Sequence, residues 1–252
     1  MNTKFLINLA IAIAVGYTVI VGFRSIVSYQ GSFEFEPGPI DGLRVIAGGE
    51  VSTGFDPLVG VSESKSRNPQ PLPSNLCKAL FKRESWSEEW GVPIASFSDY
   101  NCPYCRVQTF ELAELMDDAS QRFTVVWHEL ALLGEMSLLA AKAALAADRQ
   151  GAYVAFQRRL MRSSFSPTPE YLKGLAKNIG IDGEQLVSDM RDPEILSSIE
   201  STKDLARHLR FIGTPGLVVG RTVVMGYMPI AGIEELIEAE AEYGVPMFCR
   251  EK

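Results

Sequence analysis

The chain contains few residues of the types that dominate several common protein classes. Its 252 residues include four cysteines and two histidines, and 24 lysines and arginines stand against 31 aspartates and glutamates. So few cysteines exclude a disulfide-dense miniature scaffold but allow two pairs. The net charge of −7 has the wrong sign for binding a phosphate backbone, so no nucleic-acid partner is expected. The length and the 46% hydrophobic content suit one large domain with a packed core.

Long hydrophobic runs are also absent, except at the N terminus. Residues 5–23 carry no charge and are flanked by Lys4 and Arg24, and a run of this length can cross a bilayer as a helix. We therefore expect residues 1–27 to be a signal anchor in the inner membrane, with the rest of the chain in the periplasm. A cleaved signal peptide, leaving a soluble periplasmic protein, is the alternative. Either form takes the cysteines to a compartment where disulfides persist.

Residues 28–75 lack the periodicity of helices and strands. They are rich in glycine, proline, serine and charged residues, in stretches such as EPGPIDG, GGEVSTG and SESKSRNPQPLP. This composition predicts a linker, in which the short apolar patches at 43–46 and 55–59 are able to dock onto the main domain.

Residues 76–252 show the alternating patterns of an α/β domain. Apolar runs at 92–97 and 123–127 predict two strands, and strand patterns return at 217–219 and 222–225. Between the two pairs lies a block of amphipathic helices, and a final helix is predicted at 233–243. Strands on both sides of a helical block predict one sheet with a helical subdomain inserted at about residues 134–210.

The sequence Cys102-Pro103-Tyr104-Cys105 lies where the first predicted strand ends and a helix begins. The Cys102 sulfur is therefore expected at a helix N terminus, where unpaired N–H groups and the helix dipole stabilise a thiolate. Pro103 suits the first helical turn, and Cys105 lies one turn further on the same face. The spacing predicts Cys102 as an exposed nucleophile and Cys105 as a buried resolving thiol.

A metal site is the main alternative for this motif. The two further ligands would have to come from Cys77, Cys249, His128 or His208, which stand alone without the spacing of metal ligands. No metal and no cofactor are therefore expected, and neither histidine is a candidate for catalysis. We expect Cys77 and Cys249 to form a structural disulfide, the alternative being a buried apolar Cys77 and a free thiol at Cys249.

Three features in order resemble the DsbA-like branch of the thioredoxin superfamily: C-P-Y-C after an apolar strand, an inserted helical block, and Gly213-Thr214-Pro215 before a strand. The resemblance covers about residues 91–243. It implies a thioredoxin fold with a cis peptide bond between Thr214 and Pro215 facing the cysteines. A cis turn there leaves a backbone edge free to pair with an extended substrate.

The resemblance also implies a thiol–disulfide oxidoreductase that acts by thiolate exchange. Its expected substrates are reduced or misoxidised secreted proteins, and its expected membrane redox partner is of the quinone-linked type. The inserted block and the lack of a dimerisation domain favour a monomeric oxidase that forms disulfides. The alternatives are a disulfide isomerase or reductase, or a non-enzymatic chaperone or metal-binding module on the same fold.

The sequence departs from the family pattern at three positions. Ser96 stands where many thioredoxin-like proteins carry a buried carboxylate. Asp99 instead resembles the F-x-D pattern of disulfide isomerases and some DsbA-like oxidases, and is expected to cap the helix or to help in proton transfer. Tyr104 replaces the histidine of the DsbA-like motif, so a somewhat less oxidising pair is expected.

Overall fold

The computed structural model describes residues 33–46, 48–54, 71–118, 122–164 and 166–251. The predicted membrane anchor lies outside these residues. Within them, no helix combines the length and the apolar character needed to span a membrane. The chain divides into the units Met1–Phe33 and Glu34–Lys252, and all elements given below belong to the second unit.

The described residues form one mixed sheet with helices before, between and after its strands. The six strands are β1 (Glu36–Pro37), β2 (Arg44–Ile46), β3 (Val92–Ser98), β4 (Phe123–Glu129), β5 (Gly216–Val219) and β6 (Thr222–Met225). The helices are α1 (Leu76–Phe81), α2 (Pro103–Asp118), α3 (Glu135–Arg149), α4 (Tyr153–Met161), α5 (Pro169–Asn178), α6 (Gly183–Asp189), α7 (Pro193–His208) and α8 (Ile230–Tyr243), with short 3-10 helices at Glu88–Trp90 and Met247–Cys249.

The strands lie in the order β1-β2-β6-β5-β3-β4. Strand β3 runs parallel to β4 and antiparallel to β5, and β5 and β6 form an antiparallel hairpin. Every residue of β3 is buried, as expected for a continuous apolar run that is covered on both faces of a sheet. Because β3 lies inside the sheet, its end is a rigid support for the residues that follow it.

The five helices α3 to α7 occupy residues 135–208, between β4 and β5, within the range predicted for the insertion. Three of them begin with a side-chain cap, in which Thr168, Asp182 or Asp192 accepts a hydrogen bond from a backbone N–H of the first turn. Helix α7 packs against β4, so the inserted block is attached to the sheet next to the strand from which it leaves.

The structure differs from the sequence analysis in the predicted linker. Strand β2 pairs in parallel with β6, and the flanking Leu43 and the terminal Ile46 are buried. Residues 34–46 therefore belong to the sheet. Two strands of two and three residues are too short to show a periodicity, so the composition of the segment outweighed its few apolar side chains.

A buried carboxylate connects this added edge to the rest of the domain. Glu240 of α8 accepts hydrogen bonds from Arg44 Nη2 at 2.6 Å, from Thr222 Oγ1 at 2.6 Å and from the Arg221 N–H at 3.1 Å. Arg44 also donates through Nε to Thr222 Oγ1 at 2.8 Å. The network joins β2, β6 and α8 through one fully buried acidic side chain.

Cys77 and Cys249 are joined by a disulfide between α1 and the C-terminal 3-10 helix, with their Cα atoms 4.9 Å apart. Both belong to the main hydrophobic cluster, together with Trp86 and side chains from β3, α7 and β5. The Trp86 N–H donates to the Cys249 carbonyl at 2.9 Å. The bond therefore attaches the C-terminal segment to the residues that precede β3.

The substitution Arg44→Met tests whether this edge contributes to folding stability. It leaves Glu240 buried without its closest cation, so the free energy of unfolding should fall by about 3 kcal/mol. Urea denaturation of the oxidised protein measures this. Lys173→Met is the control, because it breaks an exposed ion pair with Glu184 and should cost less than about 1 kcal/mol. Equal effects of the two variants would show that the edge is not part of the stable fold.

Candidate active site

The two cysteines of the C-P-Y-C motif lie at the N terminus of α2, just after the end of β3. Cys102 immediately precedes the helix, and its Sγ accepts a hydrogen bond from the Cys105 N–H at 3.1 Å. This is the position and the bond of an N-cap side chain. Both cysteines are free thiols in this structure.

Local hydrogen bonds lower the pKa of Cys102 from 9.0 to about 6. The largest cause is the hydrogen bond from the Cys105 thiol, which outweighs the opposing effect of burial. The Ser52 side chain and the Cys105 backbone N–H contribute in the same direction. At neutral pH the Cys102 sulfur is therefore mainly a thiolate.

Cys105 has the opposite electrostatic environment. Burial and the adjacent Cys102 sulfur raise the pKa of its thiol far above the usual range, although the Asp99 N–H points at its Sγ from 3.5 Å. The pair thus holds one negative charge, on Cys102, and one proton, on Cys105. This asymmetry is what the sequence analysis expects of a nucleophile and a resolving thiol.

The prediction of an exposed Cys102 is wrong in this structure, since its side chain is 0% exposed. Its Sγ lies 3.3 Å from the Thr214 carbonyl oxygen, and the Ser52 side chain hydrogen-bonds to the same sulfur. The helix position was predictable from the motif, but the cover comes from a segment distant in sequence that the composition assigns to a linker.

The Thr214-Pro215 peptide bond is cis and lies next to the cysteines. Its backbone edge is not free. The Thr214 N–H donates to the Ser52 carbonyl at 2.9 Å, and the Ser52 N–H donates to the Thr214 carbonyl at 2.7 Å. The edge that the sequence analysis reserved for a substrate is paired with residues of the same chain.

Asp99 positions the loop before α2 rather than capping the helix itself. Its Oδ1 accepts from the Asn101 N–H at 2.8 Å and from Ser137 Oγ at 2.6 Å, and its Oδ2 accepts from the N–H groups of Leu132 and Leu133 at 2.8 and 2.9 Å. These four donors hold the carboxylate in place. Asp99 therefore connects the active-site loop to the start of α3.

Neither of the two residues between the cysteines forms a hydrogen bond to either sulfur. Pro103 is exposed and is the first residue of α2, where a missing N–H has no cost. Tyr104 is half-buried on the same turn.

Arg106 holds the first turn of α2 in place, because it donates to the Tyr100 carbonyl at 3.1 Å and to the Ser163 carbonyl at 2.6 Å. It fixes the first turn of α2 to the end of the α4 segment.

Sequence reasoning missed a buried carboxyl group at the end of β4. Glu129 Oε1 accepts hydrogen bonds from Tyr153 at 2.6 Å and from Tyr100 at 2.9 Å. Burial raises its pKa to about 8, against the effect of the two hydroxyl donors. Ser96 is buried on the neighbouring strand β3. The signal in the sequence was a single glutamate followed by four apolar residues, 130–133.

The two histidines stay outside the chemistry of the pair. His128 is buried, stacks on Phe97 with the ring centres 4.5 Å apart, and shares a hydrogen bond of 2.7 Å between Nε2 and the Leu80 carbonyl. Burial lowers its pKa to about 4. His208 is the last residue of α7. Across the described parts of the chain, no three His, Cys, Asp or Glu side chains gather as a metal site.

Comparison with known proteins gives a family for this geometry. The family model described as the DSBA-like thioredoxin domain matches residues 93–238, which is more than half of the chain. The chain belongs to the DsbA-like thioredoxin-domain family. It is accordingly a thiol–disulfide oxidoreductase, and the predicted α/β thioredoxin fold is confirmed. No curated protein sequence matches the chain.

Solved structures agree with this assignment. A thioredoxin-like oxidoreductase from Silicibacter pomeroyi is 35% identical over 66% of this chain and 97% of its own, with a TM-score of 0.59. The thiol-disulfide exchange protein α-DsbA2 from Wolbachia pipientis is 25% identical over 64% and 90%, with a TM-score of 0.58. BdbD from Bacillus subtilis, at 23% identity over 62% and 90%, has the same fold, with a TM-score of 0.55.

The pH dependence of alkylation tests the electrostatics of this DsbA-like site. Iodoacetamide reacts with the thiolate, so the rate of modification of Cys102 in the reduced protein should rise with a midpoint near pH 6 and level off above pH 7.5 or so. Mass spectrometry of quenched samples gives the rate for each cysteine, and Cys105 should stay unmodified. A midpoint near 8.5, the ordinary value for cysteine, would contradict the hydrogen-bonding account.

Proposed function

We propose that this oxidoreductase forms disulfides in secreted proteins outside the cytoplasm, with Cys102 and Cys105 as its catalytic residues. The observation that carries the proposal is the stabilised Cys102 thiolate. A pKa of about 6 instead of 9.0 stabilises the folded dithiol form by on the order of 1 kcal/mol at pH 7. Because the folded-state pKa is the lower one, this contribution is lost as the pH falls through 6. A dithiol whose reduced form is stabilised is an oxidant.

The reaction transfers two electrons from the substrate to the protein. A substrate thiolate attacks Cys102 Sγ of the Cys102–Cys105 disulfide, the bond between the two cysteines breaks, and Cys105 takes up a proton. A second substrate thiolate then attacks its partner sulfur in the mixed disulfide, and Cys102 leaves as a thiolate. The substrate gains a disulfide and the protein becomes the dithiol seen in this structure.

The hydrogen bonds around Cys102 assist the second step. The Cys105 thiol and N–H both donate to Cys102 Sγ when that sulfur is negatively charged. A lower pKa makes a thiol a better leaving group. The low pKa of Cys102 and the high pKa of Cys105 therefore favour release of an oxidised substrate over retention of the mixed disulfide.

The proposed setting is the periplasm, with the protein anchored in the inner membrane by residues 1–27 or released from it by signal cleavage. The Cys77–Cys249 disulfide supports an oxidising compartment. Continued turnover requires that the Cys102–Cys105 dithiol be reoxidised, and a membrane partner of the quinone-linked type is the proposed electron acceptor.

Isomerisation or reduction is the second candidate, and one observation favours it. The pKa of about 6 at Cys102 is higher than the value of ~3.5 found in the most oxidising member of the superfamily. Tyr104 stands where the DsbA-like motif carries histidine, and its side chain makes no hydrogen bond to the Cys102 sulfur. The pair therefore has an intermediate thiolate stabilisation, and the two activities have to be separated by experiment.

The variant Cys105→Ser should trap mixed disulfides with substrate proteins, because the thiol that resolves them is gone. Cys102→Ser should trap almost none. It is the matched control because it makes the same replacement of sulfur by oxygen three residues away. Non-reducing electrophoresis of both variants after incubation with scrambled model substrates measures the difference. Equal trapping by the two variants would reverse or remove the assignment of roles.

The direction of the reaction is tested by competition between two substrates. The purified protein is mixed with reduced and with scrambled forms of one model protein in a glutathione buffer of defined composition. We expect the reduced form to be oxidised faster than the scrambled form is repaired. Faster repair of the scrambled form would establish the isomerase and leave the Cys102 chemistry unchanged.

A further inference from the structure

Residues 48–54 run beside the backbone edge next to the cysteines and pair with it through backbone hydrogen bonds. The Gly49 N–H donates to the Tyr227 carbonyl at 3.0 Å, and the Tyr227 N–H donates to the Glu50 carbonyl at 2.9 Å. Further along, Ser52 and Thr214 exchange two hydrogen bonds of 2.7 and 2.9 Å and form an antiparallel bridge. Both backbone groups of Thr214 that face this edge are therefore used.

Glycines on both sides allow the segment to come this close. A Cβ at Gly213 would lie 2.5 Å from the Ser52 carbonyl oxygen, and one at Gly226 would lie 2.3 Å from that of Gly49. Within the segment, a Cβ at Gly49 would lie 2.4 Å from the Tyr227 oxygen and one at Gly54 would lie 2.6 Å from the Leu132 oxygen. Real Cβ atoms do not occupy such positions, so the contact needs glycine at each of these places.

The segment closes the site as well as pairing with its edge. Cys102 is 0% exposed, and the Ser52 side chain hydrogen-bonds to its sulfur. A substrate sulfur has to approach Cys102 Sγ to about bonding distance for exchange to take place. Because Cys102 is fully buried and Ser52 contacts its sulfur, a substrate sulfur can reach Cys102 only after residues around it, Ser52 among them, move away.

We propose that residues 48–54 are a built-in occupant of the substrate edge, which makes the site selective for extended polypeptides over small thiols. The proposal rests on the proposed function, in which Thr214 pairs with substrate. An extended peptide has N–H and C=O groups that restore the two Thr214 hydrogen bonds when Ser52 leaves. Small thiols without a peptide backbone, such as 2-mercaptoethanol, and small alkylating agents restore neither, so they react only during spontaneous opening of the segment.

Two substitutions in the full-length protein should open the site in different ways. Ser52→Pro removes the N–H that donates to Thr214, and Gly54→Val places a side chain against the Leu132 carbonyl. Ser52→Ala is the matched control, because it keeps both backbone hydrogen bonds and loses only the hydroxyl. Circular dichroism and an intact Cys77–Cys249 disulfide establish that each variant is folded.

The readout is the rate at which iodoacetamide modifies Cys102 in the reduced proteins, followed from pH 5 to pH 9. The plateau at high pH reports how accessible the Cys102 sulfur is to the reagent, and the midpoint reports the pKa of Cys102. Ser52→Pro and Gly54→Val should raise the plateau about tenfold over the wild type, the effect of one lost backbone hydrogen bond on a local opening equilibrium. Ser52→Ala keeps the segment paired with Thr214, so it should raise the plateau much less than either opening variant and move the midpoint upward. Plateaus that are equal in the wild type and both opening variants would overturn the proposal.

Hydrogen exchange provides a test that needs no opening variant. A cysteine-containing peptide is trapped as a mixed disulfide on Cys102 in the Cys105→Ser protein. The Ser52 N–H should lose its protection relative to the free protein, whereas the Thr214 N–H should keep it, because the peptide replaces Ser52. Continued protection of Ser52 in the mixed disulfide would overturn the proposal.

The two proposals fail in distinguishable ways. Alkylation requires no catalysis. A raised plateau therefore supports the proposal that residues 48–54 occupy the edge at Thr214, even if no variant oxidises a protein substrate. Normal oxidation of protein substrates with equal plateaus would leave the proposed function standing and reject the proposed role of residues 48–54.

Discussion

The hydrogen bonds that Cys105 donates to Cys102 Sγ are the interaction on which the site depends. One comes from the Cys105 backbone N–H at 3.1 Å and the other from its thiol, and together with Ser52 they lower the pKa of Cys102 to about 6 in spite of complete burial. They exist because Cys102 stands at the position of an N-cap, directly after a rigid central strand. Asp99 fixes the loop between strand and helix through four hydrogen bonds.

The remaining architecture brings other parts of the chain to this sulfur. The inserted helices lie between β4 and β5, so the chain returns through Thr214 and Pro215 next to Cys102. The segment before the domain returns to the same place, since β2 pairs with β6 and residues 48–54 continue along the edge to Ser52. Three distant parts of the sequence thus meet at one sulfur atom.

The elements with strong local signals could be predicted from the sequence. The strand before Cys102, the hairpin around Gly220 and the capped helices of the insertion follow from periodicity, turn residues and N-caps. The strands in residues 34–46, the cover by Ser52 and the buried Glu129 could not, because each depends on partners far along the chain. GGEVSTG has the composition of a linker, but its glycines are the residues that allow close backbone contact with the sheet edge.

If the protein stabilises its dithiol form through the Cys102 thiolate, the reduction potential of the Cys102–Cys105 pair should be that of an oxidant. The purified protein is equilibrated with graded ratios of reduced and oxidised glutathione at pH 7, and the fraction carrying the Cys102–Cys105 disulfide is measured by mass spectrometry. We expect a potential between about −200 and −120 mV, in the range of disulfide-forming members of the superfamily. A potential near about −270 mV, as for a thioredoxin reductant, would contradict it.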